Sequence, residues 1–266
     1  MFLKRQASVL ILSSMVFVAC RSPQNQVSPR LADEMPRKIV WAWERSEDLN
    51  FLDPKEYGVA FLAQTLSLEK ERVTVNSRRQ RLGIPQGTYV IAVTRIETSK
   101  DTFKRSSMTN EIVSLIVERV ISTLDLPDVR GIQIDFDAVV SERDFYRRIV
   151  SGVRQKLNER AAGGHVPTFT MTSLASWCTG DAWFNDFPVD EAVPMAFRMG
   201  ADEEKVRTYL RNGNDWQEPL CRGSYGISID DARLEGLKPS RRIYFFSDDS
   251  WKPSDAAILK AISPAS

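Results

Sequence analysis

Histidine is nearly missing from this 266-residue chain: His165 stands alone, in a Gly-Gly-His turn. With it, three cysteines at spacings unsuited to zinc exclude a structural zinc site, and no cofactor is expected. A surplus of positive charge is missing too. Lysine and arginine total 36 against 35 acidic residues. A nucleic-acid binder needs an excess of cations to offset phosphates, so nucleic acid is not an expected partner. Beyond residue 19 no apolar run is long enough to cross a bilayer. Repeats of fixed period and an internal linker are also lacking. The first apolar run leads into Glu44-Arg45-Ser46-Glu47-Asp48, with no glycine. That omission argues against the glycine-rich phosphate turn of a doubly wound nucleotide-binding sheet.

What is present begins with a leader. Lys4 and Arg5 precede an apolar stretch, Ala7 to Ala19, that is too short to span a membrane comfortably. Residues 1–19 read as a signal peptide. Val18-Ala19-Cys20 resembles a bacterial lipoprotein cleavage box, in which Cys20 becomes the lipidated terminus. Phe17 departs from the usual leucine of that box, and ordinary cleavage to a soluble protein is the alternative. Arg21, in place of an acid, favours the outer membrane, facing the periplasm. Residues 20–36 hold Pro23, Pro29 and Pro36 among polar residues and read as a tether. Residues 37–266 are enough for one well-cored domain, expected to be monomeric. In an oxidising compartment the remaining pair, Cys178 and Cys221, is expected to form a disulfide; two separate buried thiols are the alternative.

Eight short apolar runs punctuate the domain: Ile39 to Trp43, Val59 to Ala63, Tyr89 to Thr94, Val129 to Asp137, Phe169 to Ala175, Ala192 to Phe197, Tyr225 to Ile229 and Ile243 to Phe246. Val73 to Arg81 is arginine-rich and reads as an excursion. Helical spacing recurs over Met108 to Leu124, in the stripe Phe145, Ile149, Val153 and Leu157, and over Glu203 to Leu210. Ser141 is the expected N-cap of the middle helix. Strands alternating with helices predict an α/β fold, a (β/α)8 TIM-like barrel. The crossovers after the second and seventh strands are short, so the outer helix ring is expected to be incomplete.

The fourth run, Gly131-Ile132-Gln133-Ile134-Asp135-Phe136-Asp137, carries the chemistry. Alternation sends Ile132, Ile134 and Phe136 to one face and Gln133, Asp135 and Asp137 to the other. Packing needs the first face; nothing in packing needs two acids on the second. Two close anions raise one another's proton affinity. Asp137, nearer the mouth, is the candidate general acid, with Asp135 as its partner. Barrel chemistry gathers where strands end. Trp43 and Glu44, Arg95, Trp177, Arg198 and Asp230 all stand there and form the candidate substrate-binding set. Acids among tryptophans and arginines suit a carbohydrate cleft. Three readings stay open: catalysis on a glycan, binding without turnover, and an acid pair neutralised by Arg95 or Arg198 for structure alone. Glu44, Glu191 and Asp230 are eligible as a further catalytic carboxylate.

The Gly131–Asp137 segment resembles the fourth-strand motif of family-18 chitinases, a glycine followed by acids at alternate positions. The last acid, a glutamate in that family, corresponds to Asp137; the middle acid corresponds to Asp135; the first is replaced by Gln133. Met195-Ala196-Phe197-Arg198 resembles the sixth-strand Met-x-Tyr-Asp of the same clan, with Phe197 for the tyrosine and Arg198 for the aspartate. The resemblance implies a glycosidase barrel. Its substrate-assisted chemistry needs the tyrosine and the sixth-strand aspartate, so chitinase activity does not carry over. Arg198 instead suits an acidic polysaccharide or a salt partner for the aspartates. Val40–Arg45, Leu174–Cys178 and Val189–Gly200, taken with Asp135-Phe136-Asp137, resemble the bacterial family called domain of unknown function 3142. That likeness implies a secreted, glycosidase-like barrel; the competing reading is a non-catalytic carbohydrate-binding lipoprotein of an envelope or exopolysaccharide system.

Overall fold

The computed structural model describes residues 35–162, 164–181 and 183–262. The signal segment, the expected lipidation at Cys20 and nearly all of the tether lie outside the described residues. Eight strands form the frame: β1 (Lys38–Ala42), β2 (Tyr57–Glu69), β3 (Tyr89–Thr98), β4 (Val129–Asp135), β5 (Thr168–Leu174), β6 (Glu191–Met195), β7 (Ser224–Ser228) and β8 (Arg242–Phe246). Each pairs in parallel with its neighbours in chain order. β1 pairs in parallel with both β8 and β2, which closes the cylinder. The fold is the expected (β/α)8 barrel.

Alternation along each strand sorts the side chains between two cores. Inward, Ile39, Trp41, Ala60, Leu62, Ile91, Val93, Val193, Tyr244 and Phe246 form a buried cluster. Outward, Ile132, Ile134 and Phe136 pack in the larger core with two long helices. Helix α1 (Asn110–Ser122) buries Ile112, Val113, Ile116, Val117 and Val120; Thr109 caps it, accepting from Ile112 N–H. Helix α2 (Arg143–Ala161) buries Phe145, Tyr146, Ile149, Val150, Val153 and Leu157. Each such side chain contributes roughly 1.5–3 kcal/mol, so the second helix is fixed by its stripe rather than by its start. That start differs from expectation. Residues Val140–Glu142 form a 3-10 turn, and Glu142, not Ser141, supplies the local cap by accepting from Val139 N–H at 2.9 Å. The longer carboxylate reaches back three residues, and Ser141 stays exposed.

The outer ring is sparse. Helix α3 (Ala175–Cys178) is one turn, α4 (Glu203–Arg211) is short, and α5 (Ala256–Ala261) follows the last strand. After β2 the chain doubles back as an antiparallel strand, Arg72–Ser77, before β3. No helix intervenes between β7 and β8. Gly131 is required by close approach: a Cβ there would lie 2.1 Å from Thr168 Oγ1. That hydroxyl is itself hydrogen-bonded to Tyr89 Oη at 2.8 Å.

The disulfide between Cys178 and Cys221 is formed, with Cα atoms 6.0 Å apart. Cys178 follows one strand and Cys221 precedes another, at nominally opposite ends of a barrel. The segment after α4 reaches back to resolve this: Gln217 and Glu218 N–H donate to Cys178 O at 2.8 and 3.3 Å. Ser173 Oγ lies 3.2 and 3.8 Å from the two sulfurs.

Candidate functional site

The carboxyl ends of the strands open into a cavity of about 280 Å³. Its wall includes Trp41, Trp43, Phe197 and Phe246 as aromatic surface, and Arg95, Asp135, Asp137, Arg198 and Asp202 as charge. Trp41 is wholly buried and meets Trp43 at 5.3 Å and Phe246 at 4.8 Å between ring centroids. Its indole Nε1 has no hydrogen-bond partner. Phe197 closes the stack against Phe246 at 4.6 Å.

The two central acids have different surroundings. Asp135 is the last residue of β4 and is only 3 % exposed. Arg95 lies opposite it in register on β3, and the guanidinium Nη1 reaches Asp135 Oδ2 at 3.0 Å. Thr172 Oγ1 donates to the other oxygen at 2.7 Å. Asp135 is therefore covered and matched. Arg95 also donates to Glu97 Oε1 at 2.8 Å, and its guanidinium carbon sits 5.9 Å from the Trp43 ring centre. Burial opposes the charge of Arg95, but Asp135 and Glu97 outweigh it and raise its pKa.

Asp137 lies two residues beyond the strand end, at the rim. As a residue it is exposed, yet protein crowds its carboxyl on the barrel side. That crowding, followed by the Asp135 anion, raises its pKa from 3.8 to about 6, with Arg95 pulling the other way. Beneath the pair, Tyr146 is fully buried, and its hydroxyl has no hydrogen-bond partner. Burial and then the two aspartates hold that phenol well above its usual pKa.

Of the residues singled out from sequence, Trp43, Arg95, Asp135, Asp137 and Arg198 line one cavity. The others go elsewhere. Glu44 is exposed and accepts from the backbone N–H groups of Arg79 and Gln80 at 2.8 and 3.2 Å, so it fastens the excursion after β2. Trp177 is buried and packs edge-on to Trp183 at 5.0 Å, in the core and off the cavity wall. Asp230 accepts from Asp248 N–H at 2.7 Å and holds the turn after β8. Arg198 is exposed and pairs with Asp248, not with the acid pair. It stands three residues past the end of β6, and its φ of +49° turns the chain away from the strand line.

Glu191, once eligible as a carboxylate, is sealed at the amino end. It binds Arg242 Nη1 at 2.6 Å and Tyr244 Oη at 3.0 Å, and only 1 % of it is exposed. Asp202 is the acid that sequence reasoning missed. It ends the short turn Gly200–Asp202 after β6 and faces the same cavity as Asp137. The signal was Gly200, whose φ of +58° turns the chain back over the mouth. Among the described residues no group of three or more metal-binding side chains occurs.

The architecture has counterparts among solved structures. A family-18 chitinase from Crocus vernus superposes with a TM-score of 0.51 at 11 % identity, over 84 % of this chain and 96 % of that one. The catalytic domain of a chitinase of the same family from the fern Peteris ryukyuensis gives 0.51 and 11 %, over 84 % and 99 %. The fold is similar to that of family-18 chitinases. At this identity the likeness concerns the barrel alone. No family model and no curated protein matches the chain. The resemblance to domain of unknown function 3142 is one of short sequence blocks only.

Proposed function

We propose that this chain is a glycoside-hydrolase-like protein of the bacterial envelope, which takes a polysaccharide across the barrel mouth and uses Asp137 as proton donor. The observation that carries this reading is the placement of Asp137 beside the Asp135–Arg95 pair on the wall of a cavity faced with aromatic rings, where burial and the Asp135 anion raise its pKa to about 6. A carboxylic acid that keeps its proton near pH 6 can deliver it to a leaving glycosidic oxygen. Asp135, clamped by Arg95 and Thr172, supplies the negative charge that keeps that proton on and that favours a cationic transition state. Sugar faces stack on Trp43, which is half-buried on the cavity wall, with the buried Trp41 packed behind it. Asp202, which lines the same cavity, is the carboxylate proposed to activate water. The similarity of the barrel to chitinases supports a carbohydrate ligand. Phe197 and Arg198 stand where a substrate-assisted mechanism would need a tyrosine and an acid, which argues for a different glycan.

A non-catalytic carbohydrate-binding role is the second reading. It is favoured by the matched state of Asp135, which leaves only exposed carboxylates to act. Replacing Asp137 by Asn separates the two. Loss of cleavage with retained glycan affinity supports the hydrolase; equal behaviour of both proteins against every glycan cleaved or bound removes Asp137 from the chemistry.

Envelope location belongs to the same proposal. Cys20 would carry the lipid and the chain would work as a monomer at the outer membrane, facing the periplasm. The Cys178–Cys221 bond supports an oxidising compartment. Labelling with a radioactive fatty acid should mark the wild type and spare Cys20→Ser.

A further inference from the structure

The wall that holds the acid pair has a second side. Arg95, Asp135 and Asp137 also line a neighbouring depression of about 570 Å³, which opens over the segment between β3 and α1. Its outer lip carries Lys100, Lys104 and Arg105. All three are exposed, and among the described residues none has an ion-pair partner. Lys104 Nζ only donates to Lys100 O at 3.2 Å. The rest of the rim differs. Arg45 is held by Glu47 at 2.6 Å, Arg78 by Trp43 O at 2.6 Å and Arg198 by Asp248.

The acids in the depression do not answer these cations. Glu97 is taken by Arg95, Asp135 by Arg95 and Thr172, and Glu142 is buried and accepts from Val139 N–H. Asp137 interacts electrostatically with Arg95, and Asp101 is not part of the lining. Three unmatched cations therefore border a depression that shares a wall with the proposed proton donor.

We propose that this depression is a subsite for an anionic substituent of the glycan, held by Lys100, Lys104 and Arg105 next to the unit processed at Asp137. The inference rests on the glycosidase-like reading and narrows it to an acidic polysaccharide. Contacts of this exposed kind are individually weak, so three of them together should be worth about ten-fold in affinity.

The test uses matched pairs: polygalacturonate with its carboxyl-reduced form, and dextran sulfate with dextran. Titration calorimetry should show the wild type preferring the acidic member of at least one pair by about ten-fold, and which pair distinguishes carboxylate from sulfate. The triple variant Lys100→Gln, Lys104→Gln, Arg105→Gln should lose that preference and keep its affinity for the neutral member. The double variant Lys156→Gln, Arg160→Gln, on exposed α2 positions, should keep the preference. No preference in either pair, or one that survives the triple variant, overturns the subsite while leaving hydrolysis of a neutral glycan standing. A folded protein that binds neither these glycans nor a wider neutral panel overturns both.

Discussion

Two carboxylate–arginine pairs occupy the two ends of one barrel. At the amino end, Glu191 meets Arg242 and Tyr244, with both charged side chains at most 3 % exposed. At the carboxyl end, Asp135 meets Arg95, and Asp137 adds a second acid at the rim. The residue types are nearly the same, but their access to solvent is not. The sealed pair is matched charge for charge and closed off from solvent. The open one shares a wall with two depressions and keeps an acid whose proton stays on to about pH 6. Chemistry is therefore expected at the second pair and only structural work at the first.

The largest expected effect breaks the sealed end. Arg242→Met leaves Glu191 buried without its cation and should cost about 3–5 kcal/mol in denaturant unfolding, with glycan binding unchanged among molecules that remain folded. A cost below about 1 kcal/mol would mean that water reaches Glu191. Next comes Asp135→Asn, which should cost about 1–3 kcal/mol, because Arg95 retains Glu97. It should also lower the pKa of Asp137, read by a shift of the activity profile. Thr172→Val removes one hydrogen bond to a charged group and should cost about 1.5 kcal/mol, measured the same way.

The last effect is the pH dependence of stability, moderated by the exposure of Asp137. Asp137 has a folded pKa above its ordinary value, so the native state binds the extra proton between pH 3.8 and about 6. Its contribution to stability is greatest below that window and is lost as pH rises through it. Asp137→Asn should therefore gain on the wild type between pH 4 and 6.5, seen in paired thermal melts.

Much of the barrel was legible in the sequence because strands buried on both faces are short apolar runs: six of the eight lie within two residues of their expected bounds, while β2 runs on to Glu69 and β3 to Thr98, past the expected ends at Ala63 and Thr94. The arginine-rich excursion and the sparse outer ring were also legible. Alternation correctly put Gln133 and Asp135 inward, where they meet Thr170 and Thr172 at 2.9 and 2.7 Å. It failed past the strand end: β4 stops at Asp135, so Asp137 is placed by the turn and not by the ladder. Arg95 and Arg198 looked equivalent as strand-end cations. Register brings the first opposite Asp135, while a positive φ sends the second to Asp248, and neither fact is written in residue type. Glu191, Glu44 and Asp230 were eligible as acids for the same reason. Pairing with strands distant in sequence decided which carboxylates are occupied, and it left Asp202 facing the cavity.

A carboxyl-carbon NMR titration of Asp137, in the wild type and in Asp135→Asn, tests the central claim most directly. The wild-type midpoint should lie at about 6 and the variant's should fall below it. A wild-type midpoint near the ordinary aspartate value of 3.8 would contradict the account, since Asp137 would then have no proton to give at neutral pH.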